Sequence, residues 1–158
     1  MNTRQHAQSG FTLIELLVVI VMIGVLTAMA WPMYASVVRR ARYAEVKQQM
    51  GTMAKEISAY LLEKGRYPAD TNSGKQPAGV DNWPSKEKIP YNSTYDYDHW
   101  GVGGKQCYVQ IGYAGESGTR AYPLHTLNQE PYGFKEFDDN LVLGIAVYDC
   151  DRGKGAIK

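Results

Sequence analysis

Charge is what the first quarter of this sequence lacks. Residues 11–38 contain one charged side chain, Glu15, and the small polar side chains among them are Thr12, Thr27 and Ser36. That scarcity excludes an ordinary surface helix, which needs a polar face. As an α-helix, a stretch of about 28 residues reaches roughly 42 Å, enough to cross a hydrocarbon layer of about 30 Å. Cysteine is scarce too: there are two, and no CxxC, which leaves no thioredoxin-like motif or thiolate-rich metal site. No Ser/His/Asp or Cys/His signature is recognisable, no glycine-rich loop is shaped to cradle a phosphate, and no repeat or low-complexity tract occurs. Net charge is small, with 17 Lys and Arg against 16 Asp and Glu. A neutral chain gives no general reason to expect nucleic acid as a partner, and none is predicted.

What is present starts with the position of Glu15. A carboxylate at mid-bilayer costs on the order of 2.5–3.5 kcal/mol on insertion scales, so an acid in such a run demands a partner. The plain alternative is a signal-anchor with a tolerated interfacial Glu. Residues 1–10 do not form a Sec-type signal with its own apolar core; they are a short polar leader carrying Arg4 and His6.

Ser9-Gly10-Phe11-Thr12-Leu13-Ile14-Glu15-Leu16 resembles the class III signal sequence of type IV prepilins and type II secretion pseudopilins. The match covers residues 10 to about 65, and beyond it the resemblance is architectural. It implies that a prepilin peptidase on the cytoplasmic face cuts between Gly10 and Phe11 and that Phe11 is then N-methylated. Glu15 becomes the fifth mature residue. Gly24 and Pro32 match the family's helix-breaking Gly and Pro, and the segment between them is expected to melt when subunits enter a filament; the alternative is a harmless kink. Cleavage creates an α-ammonium at Phe11, which can reach the Glu15 carboxylate of an axially displaced neighbour. Pairing relieves two charges that are each costly alone in lipid, and makes assembly depend on one vertical offset.

Arg39, Arg40 and Arg42 flank the far end of the span, and counting Lys and Arg alone would place that end in the cytoplasm. The resemblance puts the leader there instead. After Pro32 the pattern turns amphipathic: Tyr43, Val46, Met50, Ala54, Ile57 and Leu61 form a helical stripe. Gly65 is expected as the helix stop and Tyr67-Pro68 as the exit, giving one nearly continuous helix of about 80 Å. The stripe predicts the seat of a small sheet; a coiled-coil partner is the lesser option, with about three heptads available.

Residues 66–90 carry Pro68, Pro77, Pro84 and Pro90 and read as a long connection, a functional surface or subunit contact. Alternation predicts strands over 91–97 and 107–113, an edge-like strand over 119–124 ending at Pro123, and a last strand over 140–148 with Leu141, Leu143, Ile145 and Val147 on one face. Twelve tyrosines are expected to suit an exposed, loop-rich, partly β surface. In an oxidising compartment Cys107 and Cys150 are expected to pair, closing a loop of roughly 44 residues and contributing about 4 kcal/mol in the chain-entropy account. This fits the disulfide-bounded C-terminal region of type IV pilins; the rival is a metal or redox pair, for which His99 and His125 lack ligand spacing. Asp138, Asp139, Asp149 and Asp151 are weak calcium candidates if the last strand gathers them, against solvated turn acids as the simpler reading. Asn92-Ser93-Thr94 fits a glycosylation pattern short enough to arise by chance.

The expected fold is α+β: a leader at 1–10, a membrane-spanning and filament-core helix at 11–38, its amphipathic half at 39–65, and a β-rich head at 66–158 with the disulfide-bounded loop. The resemblance implies a non-enzymatic structural subunit of a type IV pilus. Its expected course runs from inner-membrane precursor to extracellular filament, serving adhesion, twitching motility or DNA uptake. Expected partners are further copies in a helical homopolymer, the prepilin peptidase, the assembly ATPase and platform, and minor pilins; no cofactor is expected. The alternative is a major pseudopilin of type II secretion in a periplasmic pseudopilus. Gly65-Arg66-Tyr67-Pro68 resembles that group's exit from the helix, but its Asp- and Gly-rich calcium loop is missing and the cysteine pair is unusual for it.

Overall fold

The computed structural model describes residues 10–102, 105–122 and 133–150. Residues 1–9, Pro123, Leu124, His125 and Asp151, all used in the sequence reading, lie outside them. The chain divides into two units, residues 1–41 and 42–158. A single α-helix, α1 (Leu13–Lys64), begins in the first and ends in the second. It stops where expected: Gly65 takes φ 71°, and its N–H bonds the Leu61 carbonyl at 2.8 Å. A side chain is costly in that left-handed conformation, so glycine ends the helix cheaply.

In the second unit, Val46, Met50, Met53 and Ile57 of α1 are fully buried, with Tyr43, Ala54 and Leu61 packed at the margin. The predicted stripe is therefore the seat of the sheet, with Met53 added. Four antiparallel strands, β1 (Tyr95–Val102), β2 (Gln106–Tyr113), β3 (Gly133–Phe137) and β4 (Asn140–Asp149), stand in the order β1-β2-β4-β3. Tyr95, Tyr97, Val109, Ile111, Tyr113 and Leu141 share one buried cluster with the helix stripe. Cys107 and Cys150 form the disulfide, with Cα atoms 5.2 Å apart.

Several strand expectations change. Strand β1 starts at Tyr95, not at 91, because residues 90–92 form a 3-10 turn. Pro90 has the fixed φ that starts such a turn. The Asn92 and Ser93 amides return to the carbonyls of Ile89 and Pro90 at 3.0 and 3.4 Å, so they are not available to a ladder. Residues 119–122 of the proposed third strand are not strand; side chains hold them, as Arg120 reaches Asp96 and Asp98 and the Ala121 amide bonds Asn140 Oδ1 at 3.1 Å. Strand β3 was not anticipated, since Phe134 and Phe137 fall on opposite faces and give no period-two signal. In β4 the pairing slips between Val109 and Gln110, leaving Ile145 unpaired. That bulge reverses the alternation: Ala146 and Tyr148 join the face of Leu141 and Leu143, and Val147 turns to the other.

Many of the described tyrosines belong to the core rather than to an exposed surface. Tyr95, Tyr97, Tyr108 and Tyr113 are among its largest fully buried side chains. Three of these hydroxyls find partners: Gln49 Oε1 at 2.7 Å for Tyr95, the Pro68 carbonyl at 3.1 Å for Tyr97 and the Pro90 carbonyl at 3.0 Å for Tyr113. A buried ring whose hydroxyl meets a loop carbonyl fills volume without orphaning a polar atom. Residues 66–90 are thereby tied to the sheet, and the Gly74 amide bonds the Tyr95 carbonyl at 2.8 Å along the β1 edge. His99 belongs to the same layer. Its Nδ1 lies 2.8 Å from the Pro68 carbonyl, which can only accept, so Nε2 accepts from the Tyr148 hydroxyl at 2.5 Å. Burial pushes the His99 pKa down.

The opposite sheet face has its own polar centre. Arg120 bonds Asp96 at 2.7 Å and Asp98 at 2.9 Å, its guanidinium stacks 4.3 Å from the Tyr122 ring centre, and Gln110 donates to Asp98 at 2.6 Å. The Tyr122 hydroxyl lies over Gly112, where a Cβ would fall 1.6 Å from it. Two acids share one guanidinium there. Burial first, and Asp98 next, push the Asp96 carboxyl up to about 6.

Met50→Ala is expected to cost about 2–5 kcal/mol, through lost transfer free energy plus the cavity left behind, read as a lower urea midpoint with the disulfide intact. Asp96 binds a proton more readily folded than unfolded, so its contribution grows as pH falls through 6 toward its ordinary value near 3.8. His99 acts the other way, resisting the proton that the unfolded chain accepts below about 6.5. Relative to Asp96→Asn, the natural chain should therefore gain stability on acidification from pH 8 to 4.5; parallel urea midpoints across that range would contradict the assignment.

Candidate functional site

The candidate site is the start of α1. Thr12 stands just before the helix, and Glu15 lies in its first turn. The Glu15 amide approaches Thr12 Oγ1 at 3.4 Å, while Glu15 Oε2 accepts from the Thr12 amide at 2.9 Å and from its hydroxyl at 2.6 Å. This is a capping box, in which an N-cap hydroxyl and an acid three residues on satisfy each other's orphan backbone donors. Sequence reasoning singled out Glu15 and missed Thr12, although Thr12-Leu13-Ile14-Glu15 carries the Thr-x-x-Glu signal. Chemically the arrangement presents an anion already held by two donors, four residues beyond Phe11.

Around it, none of the described residues covers the helix. Phe11, Leu13, Ile14 and Leu16 are exposed, and residues 11–37 are exposed throughout. Helix α1 is long and apolar enough to cross a membrane by length and composition. Gly24 and Pro32 sit inside a continuous helix, and a Cβ at Gly24 would meet nothing within 4 Å. Thr27 and Ser36 turn their hydroxyls back to the carbonyls of Ile23 and Met33 at 2.8 Å each, so both polar groups in the run are satisfied locally.

Of the weak calcium candidates, the three among the described residues do not gather, and Asp151 lies outside them. Asp138 and Asp139 form the turn before β4, and Asp149 stands at its other end, paired with Gln106. An extended strand of that length separates them by roughly 30 Å. Asp139 is engaged in the fold: its carboxylate accepts from the Ser117 amide at 2.8 Å and from Asn140 at 2.7 Å, and the Ser117 bond above all holds its pKa below the usual value.

With that geometry in view, the comparisons with known proteins fall into place. Residues 5–31 match the family described as the prokaryotic N-terminal methylation motif. The chain is 42% identical over 66 residues to the fimbrial protein EcpC of Eikenella corrodens, covering 42% of this chain and 43% of that one. It is 37% identical over 91 residues to the type IV major pilin protein PilE1 of Neisseria gonorrhoeae, covering 58% and 51%. Against the type II secretion system core protein G of Pseudomonas aeruginosa it is 34% identical over 106 residues, covering 64% and 72%. The chain thus spans about half the length of the fimbrial relatives it matches and more of the secretion protein. No solved structure matches it. A first-turn acid on a bare apolar helix, the methylation motif over that same turn and a relative matched over most of its length agree: this chain belongs to the family of type IV pilins and type II secretion pseudopilins.

Proposed function

We propose that the chain is a structural subunit of a type IV pilus, and that its work is polymerisation rather than catalysis. The observation that carries this reading is Glu15, the one charged side chain in the exposed apolar run of residues 11–37, four residues after Phe11. In this reading a prepilin peptidase removes residues 1–10 and Phe11 is N-methylated. The precursor is anchored in the inner membrane by residues 11–38.

On docking, the Phe11 ammonium of one subunit competes with Thr12 for the Glu15 carboxylate of its neighbour. Two hydrogen bonds within one chain are exchanged for an ion pair between chains in a medium of low dielectric, where the pair is strong and either charge alone is costly. The offset between subunits follows from where the carboxylate sits. Gly24 and Pro32 then mark the stretch that extends on entry into the filament. Pro32 removes the bond its amide would make to residue 28, so fewer helical bonds oppose melting there. The assembly ATPase, platform and minor pilins are separate partners, and adhesion, twitching motility and DNA uptake are the uses such a filament serves.

A periplasmic pseudopilus is the second reading. The longer match to a type II secretion core protein favours it, as does the Gly65-Arg66-Tyr67-Pro68 exit; the Cys107–Cys150 disulfide favours the pilus. Filaments sheared from cells and composed mainly of this polypeptide would decide for the pilus.

Glu15→Val is expected to insert and to be processed but to lower filament yield at least tenfold, scored by shearing and electron microscopy. Wild-type filament counts in that strain would remove the registry role. Gly10→Val is expected to leave the chain at precursor size on denaturing gels; a mature-sized band would overturn the cleavage site.

A further inference from the structure

The outer end of the apolar run poses a question that polymerisation does not answer. Between Glu15 and Glu45 the sequence has no acid, yet Arg39, Arg40 and Arg42 follow one another just past the run. With the leader in the cytoplasm these arginines lie on the far side of the membrane, where basic residues oppose rather than set topology. Arg42 belongs to the second unit, its guanidinium 4.9 Å from the Tyr91 ring centre. Arg39 and Arg40 are exposed side chains of the first unit.

Depth along the helix connects them with two aromatic residues. Trp31 and Tyr34 are 71% and 67% exposed. From Leu13 to Trp31 the helix rises about 27 Å, close to the thickness of a hydrocarbon core. Trp31 and Tyr34 therefore reach the far boundary of the acyl layer, the depth at which indole and phenol rings concentrate. Arg39 and Arg40 have their Cα atoms about 12–14 Å further on. Helical side chains tilt toward the N-terminus, which here is toward the membrane, so the two guanidinium groups lean back to the level of the lipid phosphates. The apolar run is longer than the acyl layer alone, and this placement accounts for the excess: residues 32–38 cross the headgroup zone.

We propose that Trp31, Tyr34, Arg39 and Arg40 form an interfacial collar that binds anionic phospholipid headgroups at the outer surface of the membrane and fixes the depth of the unassembled subunit. This rests on the membrane-anchored reading above, and holds equally for a pilus or a pseudopilus subunit. The guanidinium is suited to it, offering a fork of donors to a phosphate and remaining charged at any physiological pH. A juxtamembrane basic residue strengthens attachment to an anionic surface roughly fivefold.

The test uses the full chain extracted from membranes in detergent and exchanged into micelles holding equal phosphatidylcholine and phosphatidylglycerol. Native mass spectrometry counts the lipids it retains. Phosphatidylglycerol should be retained at least fivefold over phosphatidylcholine. Arg39→Gln/Arg40→Gln should bring that ratio below twofold with the disulfide and head fold intact, and Arg39→Lys/Arg40→Lys should restore most of it. Equal retention by the natural chain, or an unchanged ratio in the double Gln variant, would overturn the collar. Displacement of phosphatidylglycerol by millimolar inorganic phosphate would overturn it too, marking a site for free anions. Glu15→Val should keep the lipid preference while losing filaments, so failure of assembly and failure of the collar are read separately.

Discussion

An apolar helix surface has to be covered by something, and α1 meets that demand differently in its two halves. From Val46 onward the chain supplies its own cover, and Val46, Met50, Met53 and Ile57 lie fully buried under the sheet. Over residues 11–37 the described residues supply none, and Leu13, Ile14, Leu26 and Met29 stand exposed. Side chains of that kind lose on the order of 1.5–3 kcal/mol each if left in water. No arrangement of the described residues removes that cost. In the proposed reading lipid supplies that cover first and other copies of the chain supply it afterwards. Neither lipid tails nor neighbouring apolar helices differ greatly in how well they solvate a leucine, so burial alone gives little direction to the exchange. Direction and register have to come from the polar exceptions.

How much of this could be read from the residues alone depends on which force set each element. The helix was legible because a stripe at 3.6-residue spacing and a glycine stop at Gly65 are local signals that tertiary packing did not override. The disulfide was legible because two cysteines leave one pairing. The turn at Pro90 was not, because Tyr91 and Asn92 sit in an alternating run and their positive φ values go with a turn in which the Ile89 and Pro90 carbonyls accept the Asn92 and Ser93 amides. The bulge at Ile145 was hidden for a related reason: an unbroken apolar sequence carries no mark of where one extra residue reverses the faces. Arg120 could not have been placed by local pattern at all, since its partners, Asp96 and Asp98, come from β1, more than twenty residues earlier. At the site, Glu15 stood out by contrast with its surroundings. Thr12 did not, although the capping-box spacing was available to find it.

The Arg120 centre shows how the region inside the disulfide is held without regular structure. The stretch after β2 has no ladder of its own as far as Tyr122, yet it is pinned at Arg120, at Ala121 and at Tyr122 over Gly112. Buried ion pairs of this kind often contribute little net stability over apolar residues of the same volume. Their value here is placement: Asp98 is 2% exposed, and a guanidinium that did not return to it would leave a buried carboxylate with Gln110 and Trp100 alone as donors. The disulfide limits how far the unfolded chain can wander, and the ion pairs decide where this segment lands.

Glu15 is then to be judged by what it already does. A carboxylate with no intramolecular partner would be a strong obstacle to inserting the helix in lipid, whereas one that satisfies the Thr12 amide and hydroxyl has part of its desolvation cost offset before any neighbour arrives. The capping box therefore serves the proposed monomer, and the ammonium of an adjoining subunit serves the proposed filament. Because the same oxygen is wanted by both, the net gain on assembly is the difference between two favourable states rather than the full strength of an ion pair in hydrocarbon. Such a difference is smaller than the whole pair energy, so the proposed contact can be broken as well as made. On this account the threonine matters because it keeps the acid tolerable in the membrane and the later bond reversible.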